Sequence, residues 1–540
     1  MKNIEIPHKE ERSRRYRFFE MLPGLLSWSL LALPVVLSFI NATVAAFFIL
    51  AYLITYFVRA VGVSIRALQG HKLVNNAMKM PWRTMVDEIQ KLDAPDDGVT
   101  RPKWHYENIA RLRSKKPIVK PDEVLHVAMI ATYNESREVL EPTVQSVIAS
   151  DYDTKKIMLV IAYEERGGPQ TKQLVHDLIT EYGDRFYDAM AIEHPKDIPG
   201  ELIGKGGNIT YAARQLQKLL KKKRIDPLRV PVTTLDADNR PHPGFFAALT
   251  YLYCVAPDPV HVSFQPVAMY TNNIWDAPAP MRVIATGNTY WHTLMVLRPH
   301  ILRNFSAHAQ SMKALIDTDF WSVRTIVEDG HQFWRTYFRY DGNHKVYPIY
   351  VPIYQDAVLA ETYWKTVKAQ FIQLRRWTWG ASDIAYFIDK AFFNKNKIPR
   401  IDKWFKIGRL TEGHVTWAAG PIFIAFAAFM PVLFNPENYA ANELPIVVSY
   451  IQRIAMVGLI ASIYVLFKTL PPRPTRYKRH RSIFMILQWL YMPVTALGFN
   501  ALAALNSQTR LIFGKYLDKF DITVKAVVTE HKSGKITRRS

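Results

Sequence analysis

Uncharged apolar runs and polar stretches alternate along this chain on two length scales. On the longer scale, Met21–Ile40 has no charged residue and is long enough to cross a bilayer. Ala42–Val58 follows after almost no loop, so the two predict a helical hairpin. Arg12, Arg14, Arg15 and Arg17 precede it, and Arg59 and Arg66 follow, which places both ends on the cytosolic side. A cleaved signal peptide would end in a small-residue site and a polar mature start; a second apolar run comes instead. The stretch Ser64–Gly413 carries no spanning run. Val415–Phe434 and Leu444–Phe467 are again apolar, and the linker between them has Glu437 and Glu443 but no lysine or arginine, which suits the outside. The next loop, with Lys468, Arg473, Arg476, Lys478, Arg479 and Arg481, suits the cytosol. Ser482–Leu505 is apolar but interrupted by Pro493 and Asn500. A single crossing would carry Lys515, Lys519, Lys525, Arg538 and Arg539 outside; interfacial or re-entrant helices keep them inside and are the expectation.

On the shorter scale, the polar stretch alternates compact apolar runs with helical periodicity. Glu123–Ala131, Ile157–Ala162 and Arg229–Thr234 read as buried strands, and Arg137–Ser150 and Thr171–Tyr182 as helices. This alternation predicts an α/β domain with a mostly parallel, doubly wound sheet. Ligands of such sheets bind beyond the carboxyl ends of the strands. Tyr133-Asn134-Glu135, Glu164-Glu165 and Asp236-Ala237-Asp238 fall there.

Composition changes the picture in two respects. Among 540 residues, 49% are hydrophobic and 21% charged, so the chain is globular in balance but too long for one core. The net charge of +22 suggests anionic partners, yet much of it flanks apolar runs, and no nucleic-acid reading module is apparent. The one cysteine, Cys254, excludes an internal disulfide and a cysteine-built zinc site.

The chemistry-bearing residues come in a definite order. Asp236 and Asp238 at a strand end supply hard oxygens suited to Mg2+ or Mn2+, although an isolated Asp-x-Asp in a loop is commonly just solvated. Lys205 lies in a glycine-rich turn, Gly204–Asn208, which opens a helix. Glu328-Asp329 follows downstream and taken alone would be an acidic pair at a helix start. Gln373, Arg376 and Trp377 form Q-x-x-R-W just ahead of Trp379, and taken alone Arg376-Trp377 would be a membrane-surface anchor.

In this order the motifs resemble the membrane-integrated family-2 glycosyltransferases, the branch of cellulose, hyaluronan and chitin synthases. The resemblance spans roughly residues 20–525. Phe520-Asp521-Ile522-Thr523-Val524-Lys525 is similar to the F-x-V-T-x-K gating loop of bacterial cellulose synthases, with isoleucine for valine. The resemblance implies a GT-A-like nucleotide-binding domain in the cytosol plus transmembrane helices. The divisions expected are a basic N-terminus (1–20), a transmembrane hairpin (21–63), a linker or interfacial segment (64–120) and the catalytic domain (121–390). An interfacial helix or linker (391–413), two transmembrane helices (414–467), a basic loop with interfacial or re-entrant helices (468–513) and a cytosolic tail (514–540) follow.

The resemblance also implies roles. Thr132, Tyr133, Asn134 and Glu135 border the nucleotide; Glu164 replaces the family's usual aspartate, so it or Glu165 must reach further. Lys205 and Asp236 hold the nucleotide and Asp238 a divalent metal bridging the phosphates. Asp329, beside Glu328, is the base, and Gln373, Arg376 and Trp377 serve diphosphate and acceptor, with Trp377 and Trp379 offering faces to sugar rings. The implied reaction is inverting, metal-dependent hexosyl transfer from a nucleotide sugar, UDP-linked by analogy, to a polysaccharide or saccharide acceptor at the membrane. A lipid or lipid-linked acceptor is the alternative. A non-catalytic transporter is remote, because neither mid-span ionisable groups nor internal repeats appear. The family's glycine-rich acceptor segment reads Phe305–Ser311 here, and only Ala526–Ser540 follows the gating motif. Both departures speak against secretion through one subunit, whereas a homo-oligomer would supply further walls.

Overall fold

The computed structural model describes residues 3–95, 97–98, 100–517, 525–530 and 536–539. Eight strands form one sheet: β1 (His126–Thr132), β2 (Ile157–Glu164), β3 (Asp188–His194), β4 (Pro231–Asp236), β5 (Arg240–Pro241), β6 (Val262–Met269), β7 (Ala309–Ser311) and β8 (Lys345–Tyr354). Their order is β3-β2-β1-β4-β7-β6-β8-β5. A second, two-stranded sheet pairs β9 (Val527–Glu530) with β10 (Ile536–Arg539).

The first half of the large sheet is parallel, as the alternation of runs predicts. Along β1, Val127 and Met129 face one core while Ala128 and Ile130 face the other. Helices cover both faces, which is why the strand reads as an unbroken apolar run. The second half is mixed: β7 runs antiparallel to β4 and β6, and β5 antiparallel to β8. The sheet is therefore a mixed α/β sheet rather than a purely parallel one.

The linker region is largely helical and packed. Helices Trp82–Lys91 and Lys103–Ser114 lie on the first core, with Trp82, Met85, Ile89 and Leu112 buried in it. A buried Arg101 bonds Glu88, and His105 bridges Glu88 (2.7 Å) and the Tyr251 hydroxyl (2.9 Å).

Among the described residues, four helices are long and apolar enough to cross a membrane: Arg14–Ile40, Ala42–Met78, Arg400–Phe434 and Arg481–Ile512. A fifth long helix, Tyr439–Thr469, covers the expected span Leu444–Phe467 and packs along Ala42–Met78. The expected second span continues without a break to Met78, and its lower part enters the α/β domain, where Val74 packs with Val267, Met269 and Val296. From Arg400 on, the interfacial segment expected at 391–413 is likewise part of one helix, Arg400–Phe426, that continues into the apolar run.

The segment Arg481–Ile512 is a helix with short 3-10 and π turns around Pro493 and Asn500. It touches the α/β domain at both ends. Gln488 accepts from buried Arg282 near its start, and Ser507 donates to the Arg375 carbonyl (2.6 Å) near its finish. Both contacts are with helices of the α/β domain.

Candidate active site

The site lies beyond the carboxyl ends of β1, β2 and β4. Parallel register puts Ala131 opposite both Ala162 and Asp236, so the loops after these strands emerge together. The first loop folds on itself: the Glu135 carboxylate accepts from the Thr132 hydroxyl (2.7 Å) and from the Tyr133 amide (2.8 Å). Asn134 stays exposed at its tip. The second loop packs against the first. A Cβ on Gly167 would stand 2.0 Å from the Tyr133 carbonyl oxygen, so only glycine fits.

Lys205 organises the centre. It is the first residue of the helix Lys205–Lys222, and its ammonium lies 2.9 Å from Asp236, 3.3 Å from Asp329 and 3.8 Å from Glu328. Burial alone would lower its pKa; Asp236, Asp329 and Glu328 outweigh burial and raise it. The glycine-rich turn is a place of close approach. Gly206 lies inside the first helical turn, where a Cβ would meet the Ser322 carbonyl oxygen at 2.5 Å and Glu328 Cβ at 3.3 Å.

Glu328 and Asp329 do occupy the first turn of a helix, Glu328–Arg339, where negative charge is favoured. They also face Lys205, so the place at a helix start does not keep the pair from the centre of the cleft. Glu328 is the more enclosed, with 4% side-chain exposure against 18% for Asp329. Burial, then the adjacent Asp329 charge, push the Glu328 carboxyl up to about 8.

Asp236 accepts from Ser306 Oγ (2.7 Å), and its pKa is held down by Lys205 and Lys525 against the opposing effect of burial. Buried His308 fixes the loop that carries Ser306. Its Nε2 accepts from Trp321 Nε1 (3.2 Å), which leaves Nδ1–H to donate to the Phe305 carbonyl (3.0 Å). Burial lowers its pKa, so the ring is the neutral Nδ1–H tautomer, 3.6 Å from Asp329.

Asp238 faces a different pair of groups. Its Oδ1 accepts from Lys525 Nζ at 2.6 Å, and its Oδ2 from the Asp356 amide at 3.0 Å. Lys525 is held by backbone contacts as well, since it bridges Leu359 and the Ala526 amide donates to the Leu359 carbonyl (2.9 Å). Phe520 and Thr523 of the gating-like motif lie outside the described residues.

Asp356 was missed by sequence reasoning, because a lone aspartate after a proline-bearing strand carries no signal. Its Oδ1 is buried with no hydrogen-bond partner, and burial, then Asp238, push its carboxyl up to about 7. An orphaned buried oxygen beside a second carboxylate fits a hard divalent cation. No group of three or more His, Cys, Asp and Glu side chains suited to a metal occurs among the described residues. A cation here would therefore draw its remaining ligands from phosphate and water, as Mg2+ commonly does.

Tyr270, also unforeseen, links the halves of the site. It follows β6, its amide bonds Thr289 Oγ1 (3.0 Å), and its ring lies 6.1 Å from that of Trp377. Burial, then Asp236 and Asp238, raise its pKa, while Arg376 opposes them, so Arg376 and the Asp-x-Asp turn both act on this hydroxyl. Gln373 accepts from Gln370 on the same helix (3.2 Å). Trp379 does not face the site; it is buried with Ile326, Leu511 and Leu517.

Glu164 is buried at the end of β2, where it accepts from His194 Nδ1 (3.1 Å) and pairs with Arg166 (3.3 Å). The other His194 nitrogen faces Glu201 at 3.0 Å. Burial disfavours the charged ring, but the two carboxylates outweigh it and raise His194 to about 9.

No family model matches the chain, and no curated protein matches it either. Solved structures do. A mannosyltransferase of Pyrobaculum calidifontis, solved with GDP-Man and Mn2+, is 15% identical over 75% of this chain and 99% of its own, with a TM-score of 0.39. Residues 1–349 of S. aureus TarS, solved with UDP-GlcNAc, are 10% identical over 77% and 97%, with a TM-score of 0.35. Both likenesses are distant.

Proposed function

We propose that this chain is a membrane-embedded glycosyltransferase that moves a sugar from a nucleoside-diphosphate donor to a saccharide acceptor, with inversion at the anomeric carbon. The carrying observation is the convergence of Asp236, Glu328 and Asp329 on Lys205 at the carboxyl end of the parallel strands. The exposed apolar surface of the long helices supports the membrane half. Phe39, Phe47 and Leu433 are each more than 65% exposed, an arrangement that needs a lipid cover. The contacts of Arg481–Ile512 with the α/β domain favour an interfacial helix, with the tail on the domain's side of the membrane, which the charge rule makes cytosolic.

An acceptor hydroxyl is a poor nucleophile and needs a carboxylate to take its proton as the bond to the anomeric carbon forms. Asp329 is the base, being the more open of the pair, while Glu328 behind it retains its proton. Lys205 holds Asp329 and Asp236 at fixed positions. A divalent cation, where bound by Asp238 and Asp356, would supply Lewis-acid stabilisation to the departing diphosphate. Arg376 adds a forked guanidinium to the same leaving group, and Trp377 with Tyr270 forms an aromatic wall beside it. One displacement with one base leaves the configuration inverted.

The test uses the purified protein in lipid discs with a panel of UDP- and GDP-sugars, reading released nucleotide and product size. A long product identifies a polysaccharide synthase, and a single-sugar glycolipid identifies a lipid-linked acceptor. Absence of donor-dependent nucleotide release with every sugar overturns the proposal.

A further inference from the structure

The helix Ala42–Met78 runs on well past its apolar stretch. Arg59 pairs with Glu412 of the neighbouring helix at 2.5 Å and marks the first charged level. Two turns on, ~10 Å further at 1.5 Å per residue, the same helix borders a cavity of about 450 Å3 lined by Arg66, Gln69, Lys72, Leu73, Asn76 and Leu297.

No carboxylate lines this cavity. Arg66, Lys72 and the adjacent Arg298 have no carboxylate partner among the described residues. Burial, then Arg66 and Arg409, lower the Arg298 pKa, so both guanidinium groups stand close enough to Arg298 to repel it. Cations lining a hollow that holds no carboxylate fit an anion.

The helix surface tells what carries that anion. Val58, Val61, Ile65 and Leu68 are exposed at helical spacing and form an apolar stripe that ends at Lys72. Beside it runs a second stripe, Arg66, Gln69, Leu73 and Asn76, which lines the cavity. A molecule with an apolar tail and an anionic head matches both: tail along the first stripe, head among the guanidinium, ammonium and amide donors.

We infer that this cavity binds the phosphate head of an anionic membrane lipid at the surface of the bilayer facing the α/β domain. The inference rests on the proposed membrane embedding. Free phosphate shares the head chemistry but leaves the apolar stripe unexplained.

The test places the full chain in discs of phosphatidylcholine with a minor fraction of phosphatidylglycerol and counts retained lipids by native mass spectrometry. Wild type is expected to retain phosphatidylglycerol preferentially, and R66Q/K72Q to lose that preference by about ten- to thirtyfold, taking ~1 kcal/mol per basic residue. R66K/K72R should keep it. Both residues are exposed, so unchanged melting temperatures exclude misfolding. Equal retention by wild type and R66Q/K72Q overturns the inference. So does displacement of bound anion by inorganic phosphate with no preference between lipids. Insertion of both proteins into pure phosphatidylcholine discs, together with no phosphatidylglycerol preference in the mixed discs, removes only this inference; failure of wild type to insert removes the membrane reading and this inference with it.

Discussion

Lys525 Nζ lies 2.6 Å from Asp238 Oδ1, although 287 positions separate the two residues. The ammonium thus stands against the carboxylate proposed to hold a divalent cation. Two cations compete for one oxygen, so removal of one favours the other. Lys525→Ala is expected to bind Mn2+ about tenfold more tightly in the absence of donor, measured by the electron paramagnetic resonance of free Mn2+. Unchanged or weaker affinity would show that Lys525 does not compete.

Asp356 offers Asp238 its backbone amide as well as its own carboxylate, and the amide survives substitution. Asp356→Asn is therefore expected to weaken Mn2+ binding by about tenfold or more without dislodging Asp238. Asp238→Ala should weaken it further. Wild-type Mn2+ affinity in Asp356→Asn would place this carboxylate outside the cation site.

Asp329→Asn retains shape and hydrogen bonding but not basicity. Turnover is expected to fall by about 10²–10⁴-fold, while donor affinity, read by calorimetry, stays near the wild-type value. Normal turnover would sink the base assignment.

Gly206 has a backbone wall on one side and the Glu328 stem on the other. Gly206→Ala should destabilise the domain by ~1–3 kcal/mol and lower activity beyond what the lost folded fraction explains, because Glu328 and Asp329 must shift. A melting curve and a specific activity measured on the same sample separate the two effects.

His194 carries a pH signature. Its two carboxylate partners raise it to about 9 in the folded state, above the ordinary imidazole value of 6.5, so its stabilising contribution is complete below pH 6.5 and is lost as pH rises through 9. The stability difference between wild type and His194→Gln should shrink across that window by up to ~3 kcal/mol, as read from thermal melts. A constant difference from pH 6 to 10 would exclude the charged bridge between Glu164 and Glu201.

The first half of the sheet was legible because β1, β2 and β4 are buried on both faces and read as apolar runs. Later strands were not. In β6, Ser263 and Gln265 are buried but used as polar clamps: Ser263 donates to Asn304 (2.7 Å), and Gln265 accepts from the Phe305 amide (2.7 Å). In β8, Pro348 and Pro352 break the strand signal. Residues 82–114 looked like a surface linker because their helices are short and polar on one face, yet Trp82 and His105 are buried beneath them.

The site divides in the same manner. Local order along the chain was enough to nominate Asp236, Asp238, Glu328, Asp329, Lys205 and the Q-x-x-R-W helix, since each motif occupies a few adjacent positions. It also determined the apolar runs and the charges that flank them. Only the tertiary structure decided that Lys205 gathers three carboxylates, that Lys525 and Asp356 meet at Asp238, and that Tyr270 stands between the Asp-x-Asp turn and Trp377. Those relationships depend on distances between loops from different strands and from the far end of the chain. Such distances follow from sheet register and core packing, and no local pattern of residues encodes them.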